Sequence, residues 1–309
     1  MAERVLVTGA LGCVGAWAVK AVLDDGGEPV GYDVGDAAHR LELVLSPEEL
    51  ERVTLVQGDI TDLDAFGRTL DEHAITQVVH LAALQVPFCR ADPVLGARVN
   101  VVGTVNVFEA VKQRLDRIPG VAYASSAAVY GPSDPSPAPE SGGTAPATLY
   151  GVYKLANEGT ARLYWDEAGV PSIGIRPYVV YGLGRDQGMT SGPTVAMAAA
   201  ARGESFEIGY GGVAQYDYAP EVGRAFVRSA SPPAGAAVAN FPGVSASMEG
   251  VVAAIEAAAP EAAGLITWQD APLPFPAEVE ARSLERLIGP QPQTSLVDGV
   301  RETIEGFRR

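Results

Sequence analysis

Residues 4–15 read Arg-Val-Leu-Val-Thr-Gly-Ala-Leu-Gly-Cys-Val-Gly, an apolar run that breaks into glycines at 9, 12 and 15. Helix-forming residues follow from Ala16 to Leu23. The run predicts a buried strand, the next segment a helix, and the glycines the turn between them. Backbone geometry explains the spacing. Gly9 permits a tight turn, Gly12 lets backbone N–H groups approach a pyrophosphate, and Gly15 lets the helix pack close to the strand. Leu11, Cys13 and Val14 complete the turn and count among the expected cofactor contacts. The unpaired N–H groups at the start of the helix then face the negative charge. A second strand over 29–33 ends on Asp33. A carboxylate at that strand end can bond the ribose hydroxyls of adenosine, and it repels a 2′-phosphate. Val34 and Gly35 follow it, not Arg or Lys, so the expected dinucleotide is NAD. Arg40 is the residue that a folded-back loop could bring to a phosphate instead.

Working outward, strands are predicted at 53–56, 77–81, 121–125 and 172–176, with helices at 63–72, 93–113 and 147–168 between them. Alternation of this kind means βαβ units and a parallel sheet, and near-continuous apolar strands mean helices on both faces. The expected fold class is α/β: a doubly wound parallel sheet of Rossmann type with a smaller C-terminal α/β substrate domain. The pattern changes after Tyr178, so 1–178 is expected to form the dinucleotide-binding domain. Residues 179–309 would be mostly substrate-binding, with some segments returning to the first sheet. Helices are expected near 193–201, 248–258 and 295–307. The Pro-rich stretch 132–147 reads as an ordered loop beside the active site.

Composition narrows the partners. With 22 Lys and Arg against 38 Asp and Glu, the net charge is −16, which argues against nucleic-acid phosphates and anionic lipid. A local basic pocket for a small anion remains compatible with it. Two cysteines, Cys13 and Cys89, cannot build a disulfide framework, and a reducing cytoplasm is expected. No apolar run approaches the ~18–20 residues of a membrane helix. The N-terminus enters a strand directly, without the layout of a signal peptide. His39, His73 and His80 have no metal-ligand spacing with the cysteines, so no metal is expected.

Tyr150-Gly-Val-Tyr-Lys154 sets a phenol and an ammonium at i and i+4, on one face of a helix. A nearby cation and a positive nicotinamide both favour phenolate, lowering a pKa that is ordinarily about 10. Tyr150 can then take a hydroxyl proton while hydride leaves the same carbon. Ser126, at the end of the fifth strand, can hold the substrate oxygen.

These motifs together resemble the extended short-chain dehydrogenase/reductases of the NAD-dependent epimerase/dehydratase family. The resemblance rests on Thr8 to Gly15, Gly58-Asp59, His80-Leu-Ala-Ala83, Asn100-Val-Val-Gly-Thr104, Ser125 to Gly131, Tyr150 to Lys154 and Arg176 to Gly182. It implies that Asp59 and Ile60 meet the adenine and that Leu81, Ala82 and Ala83 line the cofactor. It implies that Asn100 supports the helix carrying a proton-relay water and that Pro177 and Tyr178 flank the nicotinamide. Ser126, Tyr150 and Lys154 would form the catalytic set, Lys154 also binding the nicotinamide ribose. It implies a homodimer paired through helices 93–113 and 147–168.

Two departures narrow the reaction. Dehydratases of the family resemble one another in a Thr-Asp-Glu run where this chain has Ser126-Ala127-Ala128, and alanine transfers no proton. The 3,5-epimerising relatives carry a Cys near Ala128, also missing here. Nucleotide-sugar enzymes of the family carry an Arg that grips the diphosphate, in a segment matching Val213 to Glu221; no Arg occurs there. Arg185 is the candidate replacement, with Gln85, Ala127, Thr190 and Ser191 on the substrate side. The expected function is NAD-dependent hydride transfer at a secondary hydroxyl of a small sugar, sugar acid or polyhydroxy acid. The alternatives are a UDP-sugar 4-epimerase with tightly bound NAD and, from another class, a non-catalytic NAD-sensing regulator.

Overall fold

A computed structural model describes residues 3–309; Met1 and Ala2, where the expected leaderless start falls, lie outside them. The chain alternates from the outset: β1 (Arg4–Thr8), α1 (Cys13–Asp24), β2 (Glu28–Asp33), short helices α2 (His39–Val44) and α3 (Pro47–Leu50), β3 (Thr54–Gln57), α4 (Leu63–Glu72) and β4 (Gln77–His80). Next come α5 (Val86–Ala91), α6 (Pro93–Ala97), a π-helical turn (Arg98–Val102), α7 (Gly103–Lys112), β5 (Val121–Ala124), α8 (Leu149–Ala168), β6 (Ser172–Arg176) and β7 (Val179–Tyr181). The last third holds α9 (Gly192–Ala201), β8 (Phe206–Ile208), β9 (Val213–Tyr218), α10 (Ala219–Arg228), β10 (Ala236–Asn240) and β11 (Val244–Ser247). It closes with α11 (Met248–Ala258), β12 (Ile266–Trp268), α12 (Ser283–Ile288) and α13 (Leu296–Phe307).

Seven parallel strands form the main sheet in the order β10-β6-β5-β4-β1-β2-β3. This is the doubly wound Rossmann arrangement expected. The order reverses between β1 and β4, where crossovers leave in opposite directions and open a crevice at the carboxyl ends of the strands. Within the last third, β10 returns to the edge of this sheet beside β6. Helix α10 packs on α1 so closely that a methyl on Gly223 would sit 2.6 Å from the Trp17 carbonyl carbon. A second core forms around β7, β9 and β11 with α9, α11 and α13, built on Tyr181, Met197, Tyr216, Ile255 and Ile304.

Three expectations need correction. The helix predicted over 93–113 is interrupted by the π-helical turn at Arg98–Val102, which contains Asn100. Periodicity in composition cannot register one extra residue in a turn. The stretch Pro93–Lys112 also has the length and mean hydropathy, 1.3, of a membrane span, contrary to the reading above. Half of it is buried, with Val107, Phe108 and Val111 in the core under the sheet. Lastly, residues 132–147 do not line the cleft described below. That loop is ordered against a later segment instead: Ala138 exchanges backbone hydrogen bonds with Glu278 and Glu280, and Glu140 accepts from Ser283.

Beneath the cleft, His80 joins β1 to α7. Thr104 Oγ1 donates to the Asn100 carbonyl at 2.8 Å, so it accepts from His80 Nε2 at 3.0 Å. Nδ1 then accepts from Thr8 Oγ1 at 2.8 Å, and Thr8 in turn accepts the Leu81 and Ala82 N–H groups. The imidazole is thereby a neutral structural link. Burial, with a smaller contribution from the Lys154 charge, pushes it down to about 3. The unfolded chain binds a proton near pH 6.5 that the fold refuses, so this group's contribution to stability falls as pH drops from ~6.5 toward 3. Urea unfolding should show His80→Gln less stable at pH 7.5 but with a shallower acid decline; parallel declines would refute this.

Candidate active site

A cleft of about 740 Å³ lies above the carboxyl ends of β1, β4, β5 and β6. Its floor is the glycine turn. Gly9 has φ +69°, and a methyl on Gly15 would sit 2.0 Å from the Gly9 carbonyl oxygen, so neither position takes a side chain. Gly12 caps α1 without any side chain covering the first N–H groups, and the first turn carries no acid. Leu11, Cys13, Val14 and Gly15 line the cleft at that helix end. Asp33 lines it too: one carboxylate oxygen accepts Leu11 N–H at 3.0 Å, the other Gly35 N–H at 3.1 Å. A helix start with free donors beside a strand-end carboxylate fits a dinucleotide's pyrophosphate and ribose. Asp59, Ile60, Leu81, Ala82 and Ala83 continue the wall, and Pro177 and Tyr178 close it after β6. Arg40 is paired within the protein: its guanidinium donates to Asp186 at 2.8 Å and to the Leu11 carbonyl at 3.0 Å.

Ser126, Tyr150 and Lys154 meet at the deep end. Ser126 follows β5 and accepts Ala128 N–H at 3.1 Å, leaving its own proton free to donate. Tyr150 starts α8, whose first turn is capped by Thr148 accepting Gly151 N–H at 3.0 Å. Gly151 lets that helix touch β5's extension, since a methyl there would meet the Ala128 carbonyl oxygen at 2.0 Å. Lys154, one turn on, donates from Nζ to the Ala124 carbonyl at 2.7 Å and lies 5.6 Å from the Tyr150 ring centre. Burial pushes the Tyr150 phenol up; the Ser126 hydroxyl and the Arg185 charge oppose this. The Arg185 charge thus acts on the phenol from the substrate side, while the Lys154 ammonium stands over its ring. Burial also pushes Lys154 down to about 8.

At the outer end stand Gln85, Arg185 and Thr190. Arg185 donates to Thr190 Oγ1 at 3.1 Å and lies 3.4 Å from Gln85 Oε1, while its Nε is buried with no partner among the described residues. Strand β9 does not line the cleft: Ala214 to Tyr218 are buried, and Gln215 donates to the Phe241 carbonyl. Among the described residues the cleft's cations are therefore Arg40, Lys154 and Arg185.

Three expected contacts fall outside the cleft. Ala127 turns into a small core with Val129 and Tyr130. Ser191 donates to the Gly188 carbonyl at the start of α9. Asn100 is buried behind the wall, its side chain fastening both backbone groups of Leu84. Sequence reasoning missed Phe275, Met189 and Ser125, which do line it. Ser125 was legible as Ser126's neighbour, whereas nothing local marks Phe275. No group of three or more His, Cys, Asp and Glu is placed to hold a metal among the described residues.

The sequence profile of the NAD-dependent epimerase/dehydratase family matches residues 5–234. The chain belongs to that family. A UDP-glucose 4-epimerase of Mycolicibacterium smegmatis is 33% identical to it over 99% of this chain and 98% of its own length. A UDP-glucose 4-epimerase of Thermus thermophilus, solved in complex with NAD, superposes with a TM-score of 0.82 at 25% identity, covering 99% of each chain. A partial-consensus L-threonine 3-dehydrogenase shares the fold, with a TM-score of 0.86 at 23% identity over 99% of each chain. As a member of the epimerase/dehydratase family, this protein is an NAD-dependent enzyme.

Proposed function

We propose that this epimerase/dehydratase-family enzyme transfers hydride between NAD and a secondary hydroxyl of a small sugar acid or polyhydroxy acid. The bound nicotinamide supplies the hydride acceptor or donor. Tyr150 takes the hydroxyl proton as the carbonyl forms and returns it in the reverse direction. Ser126 donates to the substrate oxygen, holding it against Tyr150. Lys154 adds positive charge beside the phenol and reaches the nicotinamide ribose. Ala128 supports hydride transfer over dehydration, because the methyl beside Ser126 moves no proton.

Arg185 carries the choice of an acid. Its guanidinium lines the cleft beside Gln85 and Thr190, and the planar pair of donors it offers suits a carboxylate. The test is a panel of aldonic and uronic acids, neutral sugars and UDP-sugars, followed by NADH absorbance. Turnover confined to acids supports the reading; turnover of neutral sugars with equal kcat/KM contradicts it. The second reading is a UDP-sugar 4-epimerase, favoured by the near full-length likeness to the Mycolicibacterium enzyme. It would show UDP-sugar interconversion without net NADH.

We place the enzyme in the cytoplasm, where the free thiols Cys13 and Cys89 stay reduced, as a homodimer. The support for a dimer is apolar surface on the outer faces of the helices expected to pair. Val94 is 68% exposed, and Leu95, Val102, Val152 and Leu163 are also exposed. A helical stretch apolar on both faces has one face left to cover. Light scattering should report twice the 32.1 kDa chain mass, and Val94→Glu with Val152→Glu should halve it. A monomeric wild type would end this proposal.

A further inference from the structure

The loop from Gly182 to Ser191 crosses from the second core back to the glycine turn. Gly184 lies against that turn, its added methyl 3.7 Å from the Cys13 Cα. The Leu183 carbonyl accepts Trp17 Nε1–H at 3.0 Å from α1. One residue past Arg185, Asp186 turns the opposite way and takes a forked pair from Arg40, at 3.1 Å from Nε and 2.8 Å from Nη2. His39 Nε2 stands 3.3 Å from the other carboxylate oxygen. Arg40 Nη1 meanwhile holds the Leu11 carbonyl at 3.0 Å. The same arginine therefore grips the glycine turn and the loop, across the groove lined by both.

We propose that the Arg40–Asp186 ion pair is a clasp that closes the 182–191 loop over the dinucleotide groove, sets the rate at which NADH leaves, and holds Arg185 at the substrate end. Arg40 and Asp186 are positioning residues in this arrangement. The clasp is built to open. The Asp186 side chain is 47% exposed against 13% for Arg40, so the pair is partly solvated and is screened by salt. A carboxylate at 186 also spends the charge of Arg40 within the protein, leaving Arg185 as the cation free to meet substrate. That last consequence rests on the acid-substrate reading above; the effect on NADH does not.

The test is NADH release from the NADH-loaded enzyme, followed by stopped-flow fluorescence against excess NAD. Asp186→Asn and Arg40→Gln should each speed release about threefold to tenfold at low salt, the range of a forked, partly exposed pair. The double variant should release no faster than the faster single, because the two share one interaction. Wild-type release should quicken from about 20 to about 300 mM salt, and Asp186→Asn should not respond. Unchanged release in both single variants, or effects that multiply in the double, overturns the clasp. If release behaves as expected while the KM of the acid substrate is unmoved in Asp186→Asn, the clasp on NADH stands and its hold on Arg185 falls. If Arg185→Met also leaves that KM unmoved, the acid-substrate reading falls with it.

Discussion

Replacing Tyr150 by Phe is expected to lower kcat by about 10²–10⁴-fold, the range of general acid–base catalysis, with NAD affinity unchanged within a few-fold. Tyr150 stands where the deep end of the cleft brings Ser126 and Lys154 together, and phenylalanine keeps its packing while removing its proton. Burial raises the phenol, so the base is costly to form and depends on the Ser126 hydroxyl and the Arg185 charge. Activity in the oxidative direction should therefore rise with pH as the phenol ionises, and that limb should disappear in Tyr150→Phe. Single-turnover NADH formation measures the chemical step, and calorimetric titration with NAD checks binding. A loss under tenfold would move the base elsewhere.

Arg185→Met should raise the KM of an acid substrate about 10- to 150-fold, with a smaller fall in kcat because its charge also favours the Tyr150 phenolate. This follows from charge-assisted hydrogen bonds worth about 1.5–3 kcal/mol. The methionine stem fills the space of the arginine stem, so the measured loss is that of the guanidinium fork. Arg185→Lys should recover part of it, since a point charge replaces a planar pair of donors. A neutral sugar of equal size should be indifferent to both substitutions, and that contrast separates a carboxylate contact from a general collapse of the cleft wall. A kcat loss as large as the KM rise would instead place Arg185 chiefly on Tyr150, which it already influences.

The glycine turn, the alternation of strands and helices, and the placement of Asp33, Tyr150 and Lys154 were all legible along the chain, because each depends on spacings of a few residues. Strand and turn propensities, helix periodicity and the i, i+4 relation act over one or two turns of backbone, so the string of residues contains them in full. That some later segment returns to the main sheet was expected, but its identity as β10 beside β6, the π-helical turn around Asn100 and the partnering of the 132–147 loop with residues 278–283 were not legible in that way. Arg40 illustrates the limit. Near Asp33 it reads as a possible phosphate ligand, and only the approach of Asp186, 146 residues later, commits it elsewhere. Ala127 and Ser191 likewise lie beside cleft residues in sequence yet face away in space. Which side chains share a cavity depends on contacts between distant segments, and those are set by how the two cores close on each other rather than by any local pattern.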